Sequence, residues 1–167
     1  MKLELYLDLE TTSTENDAGI WQIGALIVTK QNRKEFLIEC VPDGDVSQRT
    51  IDWIYSSSDV AQEYESAINS GITQKKAIEE FCKWTKKFGM KQNRFDETVF
   101  QWGNFDVPIV GNKLDPKDYP WHYGSICDVR SASKFINQDI RPDSTHNALE
   151  DAIELHKCVE QLRRLVK

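Results

Sequence analysis

Two carboxylates lie two residues apart in an otherwise apolar stretch near the start of the chain. Residues 6–12 read YLDLETT and contain Asp8 and Glu10. The apolar alternation over 3–9 predicts a β-strand, and because side chains along a strand repeat every second residue, both carboxylates share one face. Like charges on one face repel each other and resist burial. We therefore expect either that this face is exposed to solvent on an edge strand or that cations bind to it.

Three other residues, spread over the rest of the chain, could take part in the same chemistry. Asp106 directly follows a predicted buried strand at 98–102, and Asp151 lies in the first turns of the last predicted helix, beside its apolar face. His146 lies five residues before Asp151, where that helix should begin. Singly, each has an ordinary explanation, because Asp caps helices or complements the helix dipole and a single His is commonly structural.

Together, four carboxylates and one histidine suggest a metal-dependent hydrolase. Hard oxygen ligands suit Mg²⁺ or Mn²⁺. Two such ions, about 3.5–4 Å apart, can hold a phosphodiester, with one ion lowering the pKa of an attacking water and the other stabilising the leaving oxygen. A histidine with a near-neutral pKa can accept the proton of that water. Bound cations would also turn the repulsion between Asp8 and Glu10 into metal ligation.

Apolar periodicity predicts the elements that position these residues. The predicted strands are 3–9, 20–28, 35–41, 98–102 and 123–129. The predicted helices are 47–56, 59–69, 73–88, about 129–137 and about 147–165, with a turn or helix from 106 onward. Short connections favour antiparallel pairing of the first three strands, whereas the later strands need crossover helices and should pair in parallel. We therefore predict an α/β fold with a mixed five-stranded sheet, three strands antiparallel and then two parallel, flanked by helices.

The composition favours a globular chain with a single domain spanning residues 1–167. Of its 167 residues, 40% are hydrophobic and 29% charged, enough for one sizeable core. No apolar run approaches the roughly 20 residues of a membrane helix and no signal-peptide pattern is present, so we expect a cytoplasmic location, or the host cytoplasm if the protein is viral. Cys40, Cys82, Cys127 and Cys158 form no C-x-x-C pair, which favours reduced structural cysteines over a zinc or redox site.

The charge distribution is uneven. The net charge of −6 differs from the basic footprint that nucleic-acid-binding proteins usually show. The segment from Lys75 to Arg94, however, contains seven basic and two acidic residues. A basic stripe of this kind can follow the phosphates of a polyanion when metal ions neutralise an acidic centre, although a lysine-rich helix face is often simply solvated.

The three acidic motifs, taken in order, resemble those of the DEDD exonuclease superfamily. Three segments of this chain resemble the three exonuclease motifs of that superfamily. They are D-x-E-T-T at the first strand, an aromatic residue followed by Asp106, and H-x-x-x-x-D ending at Asp151. The histidine resembles that of the DEDDh, or DnaQ-like, branch, which has a ribonuclease H-like fold. Within this branch the chain is most similar to small stand-alone phage exodeoxyribonucleases and bacterial exoribonucleases, in which WGN precedes the second motif and D-x-R follows the last strand. In this chain WGN is 102–104 and D-x-R is 128–130. The chain departs from the pattern at one point: Phe105 directly follows Asn104, where the group usually has a few small residues in between.

This resemblance implies a function and a role for each site residue. The function is hydrolysis of single-stranded nucleic acid from its 3′ end to 5′-mononucleotides, with two Mg²⁺ or Mn²⁺ ions. The implied metal ligands are Asp8, Glu10, Asp106 and Asp151. The implied catalytic residues are His146 as general base and Glu10, which would also hydrogen-bond the 3′-hydroxyl. The implied substrate contacts are Thr11, Thr12, Trp102 and Phe105, and for the two aromatic residues a core role is an equal alternative.

Two competing interpretations remain at this point. The sequence slightly favours DNA as the substrate, and an exoribonuclease that trims RNA 3′ ends is the first alternative, because no motif exposes contacts to the 2′-hydroxyl. The second alternative is a non-catalytic nucleic-acid-binding domain that keeps the fold; the complete set of five site residues argues against it. The oligomeric state and any protein partner do not follow from the sequence.

Overall fold

Five strands, named β1 to β5 in chain order, form one mixed sheet in the computed structural model, which describes residues 3–92 and 96–166. The strands are β1 (Leu3–Thr11), β2 (Ile20–Val28), β3 (Arg33–Glu39), β4 (Glu97–Gln101) and β5 (Ile126–Asp128). Their spatial order is β3-β2-β1-β4-β5. The β1–β2 and β2–β3 pairs are antiparallel, and the β1–β4 and β4–β5 pairs are parallel. The predicted α/β fold with its mixed sheet is confirmed.

Helices flank both faces of this sheet and agree with the predicted segments to within a few residues. They are α1 (Gln48–Ile54), α2 (Ser58–Asn69), α3 (Gln74–Lys87), α4 (Asp106–Asn112), α5 (Val129–Phe135) and α6 (Ala148–Leu165). In the described part of the chain, none of them combines the length and the apolar character that crossing a bilayer requires. Of the basic segment noted above, Arg94 lies outside the described residues.

The alternation along β1 divides its side chains between the two faces of the sheet. Leu5 and Leu7 belong to the core that α3 covers, whereas Tyr6 belongs to the core that α6 covers. Since every second side chain shares a face, Asp8 and Glu10 lie on the same side as Tyr6 and therefore on the α6 side. The central position of β1 explains why its carboxylates are enclosed rather than exposed on an edge strand.

Two features of the packing bring distant parts of the chain to the end of β1. Parallel strands end at the same edge of a sheet, so Asp106, which begins α4 shortly after β4, lies beside the end of β1. On the other side, the start of α6 contacts the backbone of β2. A Cβ atom added to Gly24, the strand partner of Asp8, would lie 1.9 Å from the carbonyl carbon of Ala148. Only glycine permits this approach.

Candidate active site

Asp8 and Glu10 form the centre of the candidate site. Asp8 is partly buried and Glu10 is only 9% exposed, although both are carboxylates on a central strand. Burial raises the pKa of Asp8 well above its usual value, and the neighbouring Asp106, Glu10 and Asp151 raise it further. Burial raises the pKa of Glu10 to about 8, with added repulsion from Asp151, Asp106 and Glu63. These two sites therefore resist ionisation without a nearby positive charge.

Asp106 approaches this centre from the start of α4. Its side chain is 3% exposed, and Oδ1 accepts a hydrogen bond from the backbone N–H of Leu9 at 3.1 Å, which joins α4 to β1. The turn before it is held by Gln101, whose Oε1 accepts from the N–H of Val107 at 2.9 Å. Burial raises the pKa of Asp106 to about 7, although the hydrogen bond from Leu9 opposes the rise. The short loop after β4 thus delivers this carboxylate to the cluster.

Asp151 lies in the first turn of α6 and holds the segment that precedes the helix. Its two oxygens accept hydrogen bonds from Ser144 Oγ at 2.8 Å, from the N–H and Oγ1 of Thr145 at 2.7 and 3.0 Å, and from the N–H of His146 at 3.3 Å. His146 has a φ of 62°, a left-handed conformation that is uncommon for a non-glycine residue. Asp151 therefore lies near the other carboxylates and also holds the backbone of His146 in place.

The imidazole of His146 is oriented by two neighbours. Ser144 Oγ lies 3.1 Å from Nδ1, and the ring of Trp53 in α1 contacts the imidazole edge-on, with 4.6 Å between centroids and 78° between planes. Because the Ser144 hydroxyl donates its proton to Asp151, it can only accept from His146, which assigns the proton to Nδ1 and leaves Nε2 as an acceptor. Trp53 is a site neighbour that sequence reasoning missed.

The donor set fits a divalent cation. A carboxylate oxygen of Glu10, one of Asp151 and a ring nitrogen of His146 all lie within 4.8 Å of one another. Asp8 and Asp106 act on the same cluster electrostatically, as the raised pKa of Asp8 shows. Oxygen-rich donor sets of this kind suit hard cations, and a bound cation would favour the ionised carboxylates that burial disfavours. The cluster is thus of the type that binds metal, and it explains why a central strand carries Asp8 and Glu10.

A second polar network fixes the start of α6 to the sheet. Gln22, the strand partner of Glu10, has no exposed surface, and its Oε1 accepts from the N–H of Ala148 at 2.7 Å. Its Nε2 donates to Glu63 of α2 at 3.2 Å, and Asn147 Nδ2 donates to the same carboxylate at 3.3 Å. Sequence reasoning missed Gln22 and Glu63. The one available signal was an amide in the middle of the apolar segment IWQIGAL.

The predicted substrate contacts differ in how accessible they are. Thr11 is 9% exposed, and its hydroxyl donates to the backbone oxygen of Ser13 at 2.8 Å. Thr12 has no exposed surface, and its hydroxyl lies 2.7 Å from the backbone oxygen of Asp45. The side chain of Thr12 thus holds two loops together, and the contacts of Thr11 and Thr12 to the terminal nucleotide stay predictions.

The two predicted aromatic contacts lie on either side of the loop after β4. Trp102 is partly buried and packs against the core on the α6 side, and Phe105 is partly buried against the core on the α3 side. Both therefore have the core role that the sequence left open as an alternative. The exposed remainder of each ring keeps a contact to substrate as a prediction.

Comparisons with known proteins identify the family. A protein-family model for the Rv2179c-like 3′–5′ exoribonuclease domain matches residues 3–163. Among solved structures, cell-death related nuclease 4 (CRN-4) is similar to the chain with a TM-score of 0.58 and 13% identity, over 99% of this chain and 64% of that chain. The chain thus spans less than two thirds of that protein, and the similarity concerns the fold. The search of curated proteins finds no match.

These findings confirm the predicted exonuclease class, while the DEDDh branch and the similarity to phage enzymes stay predictions. The match covers both β1, with its carboxylates, and the start of α6, with its histidine. The chain therefore belongs to the family of Rv2179c-like 3′–5′ exoribonuclease domains.

Proposed function

We propose that this chain is a metal-dependent exonuclease of the DEDDh type that removes 5′-mononucleotides from the 3′ ends of single-stranded RNA. The observation that carries the proposal is the convergence of Glu10, Asp151 and His146 within 4.8 Å, at the end of the strand that also holds Asp8. The description of the family as exoribonucleases moves our preference from DNA, which the sequence slightly favoured, to RNA. Single-stranded DNA is the second candidate substrate.

In this proposal four carboxylates bind the metal ions and one histidine accepts a proton. Asp8, Glu10, Asp106 and Asp151 would hold two ions, Mg²⁺ or Mn²⁺, which when bound lower the pKa of the attacking water and neutralise charge on the phosphate. Nε2 of His146 would accept the proton of that water as general base. By accepting from Nδ1–H, Ser144 fixes the tautomer in which Nε2 is the acceptor, and Asp151 in turn accepts from the Ser144 hydroxyl. Glu10 would also hydrogen-bond the 3′-hydroxyl.

Residues around the cluster would position the terminal nucleotide. Thr11 lies at the end of β1, next to the carboxylates, and the partly exposed Phe105 directly precedes Asp106; the partly exposed Trp102, four residues before Asp106, would stack on a base farther upstream. Trp53 joins them, because its ring is 41% exposed and contacts His146. Aromatic faces stack on bases without sequence preference, which suits an enzyme that removes one nucleotide after another.

We also propose that the enzyme works as one domain in the cytoplasm, or in the host cytoplasm if the protein is viral. The four cysteines are unpaired, and Cys40, Cys82 and Cys158 are buried. Unpaired structural cysteines are typical of a reducing compartment. The presence of all five site residues argues against the competing interpretation, a non-catalytic binding domain.

The decisive experiment compares RNA and DNA oligomers of the same sequence, each labelled at the 5′ end. The wild type, Asp8→Asn and the control Asp59→Asn, which changes an exposed carboxylate of α2, are assayed with Mg²⁺, with Mn²⁺ and in EDTA. We expect a ladder that shortens from the 3′ end of RNA with the wild type and the control, and no cleavage by Asp8→Asn or in EDTA. Cleavage that survives Asp8→Asn would show that the metal assignment is wrong. Faster degradation of DNA would reverse the substrate preference.

A second variant tests the general base. His146→Ala should lose most activity, because the variant has no side chain at this position that can accept the proton of the attacking water. An unchanged rate in His146→Ala would refute this role while leaving the metal cluster in place.

A further inference from the structure

A basic pocket lies beside the loop that carries Asp106. Its volume is about 340 Å³, and it lies between α5, the end of β4 and the segment after α5. The residues that matter for its chemistry are Trp102, Arg130, Ser133, Lys134, Asp139 and Arg141. We refer to it below as the α5 pocket.

The walls of the α5 pocket are fixed by hydrogen bonds. Ser133, which is 2% exposed, donates to the backbone oxygen of Gln138 at 2.6 Å, and the N–H of Ile140 lies 3.3 Å from its Oγ. These contacts fold the segment after α5 back against the helix. As a result, Arg141 is held near the residues that α5 presents from its own side.

The pocket has an excess of positive charge. Arg141 forms an ion pair with Asp139 at 2.7 Å. Arg130 and Lys134 have no ion-pair partner within residues 3–92 and 96–166, although the protein as a whole carries a net charge of −6. They lie four residues apart on α5, where neighbouring like charges disfavour each other. An anion bound between them would remove this repulsion.

The position of the pocket relates it to the acidic cluster. Trp102 precedes Asp106 by four residues, and at no more than about 3.6 Å per residue their backbones lie within about 14 Å. The loop between them is joined to α5 through Asp128, whose Oδ1 accepts from the N–H groups of Gly103 at 2.8 Å and Arg130 at 3.0 Å. A stacked strand, which rises about 3.4 Å per nucleotide, covers this distance in about four nucleotides.

We propose that the α5 pocket binds the phosphodiester backbone of the substrate strand a few nucleotides upstream of the 3′ end, with Arg130 and Lys134 each contacting a phosphate. The proposal rests on the proposed function, because it assumes that the 3′ end lies at the acidic cluster. Guanidinium and ammonium groups are suited to phosphate, and their contacts carry no sequence information. The enzyme would therefore hold a longer strand more tightly than a very short one, whatever its sequence.

The larger cavity beside α3 provides a matched control. It has a volume of about 770 Å³ and includes lysines of the basic segment, but Asp17, Asp43 and Glu79 also line it. Lys75 and Lys86 lie on its wall, so changing both removes two positive charges from another face of the protein. If the lysine stripe of α3 follows the strand instead, this control will show the effect that we expect for the α5 pocket.

The test measures binding of fluorescent single-stranded RNA as a function of salt, with Ca²⁺ in place of Mg²⁺ to slow cleavage. One strand has about 20 nucleotides and the other about two, whose single phosphodiester lies at the cleavage site and leaves none for the pocket. The wild type, Arg130→Gln/Lys134→Gln and Lys75→Gln/Lys86→Gln are compared. The slope of log K against log[salt] is negative, and each lost phosphate contact makes it less negative by about 0.7. For the long strand we therefore expect the slope to become less negative by about 1.4 in Arg130→Gln/Lys134→Gln, and to stay at the wild-type value in Lys75→Gln/Lys86→Gln.

Cleavage assays separate this proposal from the proposed function. In Mg²⁺, the ratio of kcat/KM for the long strand to that for the short strand should fall in Arg130→Gln/Lys134→Gln and stay at the wild-type value in the control. If the wild type cleaves nothing while the slope still changes by about 1.4 in Arg130→Gln/Lys134→Gln only, the proposed function is contradicted and the pocket is supported. A wild-type slope and ratio in Arg130→Gln/Lys134→Gln, or an equal decrease in the control, would overturn the pocket.

Discussion

Replacing Asp106 by asparagine should stabilise the metal-free protein while abolishing its activity. Asn has the shape of Asp and keeps an Oδ1 that can accept the hydrogen bond from Leu9, but it carries no charge. Burial raises the pKa of Asp106 from its usual value of 3.8 to about 7, so the folded protein retains the proton to higher pH than the unfolded chain. The carboxylate therefore lowers the free energy of unfolding as the pH rises from about 4 to about 7.

The size of the effect follows from the same pKa. At about 1.36 kcal/mol per pH unit, a rise from 3.8 to about 7 corresponds to at most ~4 kcal/mol at pH about 8. Because the other carboxylates of the cluster share its protons, we expect about 2–4 kcal/mol. For a chain of this size, 1 kcal/mol changes Tm by about 2–4 °C, so Asp106→Asn should raise the Tm by ~4–16 °C.

Thermal unfolding followed by circular dichroism, in EDTA, tests this directly. At pH about 8 the variant should be the more stable protein. The difference should shrink as the pH falls below about 7 and largely vanish only near pH about 4, where Asp106 is protonated in the unfolded chain as well. Adding Mg²⁺ should raise the Tm of the wild type and have a smaller effect on the variant, because one ligand is no longer charged. A variant that is less stable than the wild type at pH 8, or a difference that does not depend on pH, would refute the electrostatic reasoning.

Three further substitutions probe the surroundings of the site. Trp53→Ala removes the ring that contacts His146 and should lower kcat about tenfold or more, because small misplacements of catalytic groups are costly. The Tm should change by less than about 2 °C, and a wild-type kcat would exclude a positioning role for Trp53. Arg163→Ala leaves the buried carboxylate of Glu4 without its bidentate partner and should lower the free energy of unfolding by about 2–3 kcal/mol in urea titrations, with little effect on the pH profile of activity. Gly24→Ala inserts a methyl group against the start of α6 and should cost about 3 kcal/mol and most of the activity, so a folded, active variant would contradict the close approach.

The chemistry of the site could be predicted from the sequence because it depends on residue types at local spacings. Strand alternation alone places Asp8 and Glu10 on one face, and a buried pair of like charges requires compensation wherever the strand lies. The order of strands and helices likewise predicts which ends meet, because parallel pairing brings Asp106 to the end of β1. The positions of Asp151 and His146 at the start of α6 follow from helix periodicity.

The tertiary structure decided which residues support that chemistry. The contact of Trp53 with His146 and the link from Gln22 through Glu63 to Asn147 join segments far apart in sequence, and only the packing of α1, α2 and α6 around the sheet brings them together. Thr12 looks available in the sequence, but its hydroxyl is buried against Asp45. Local patterns carry no information on such contacts, because they depend on how whole elements pack against one another.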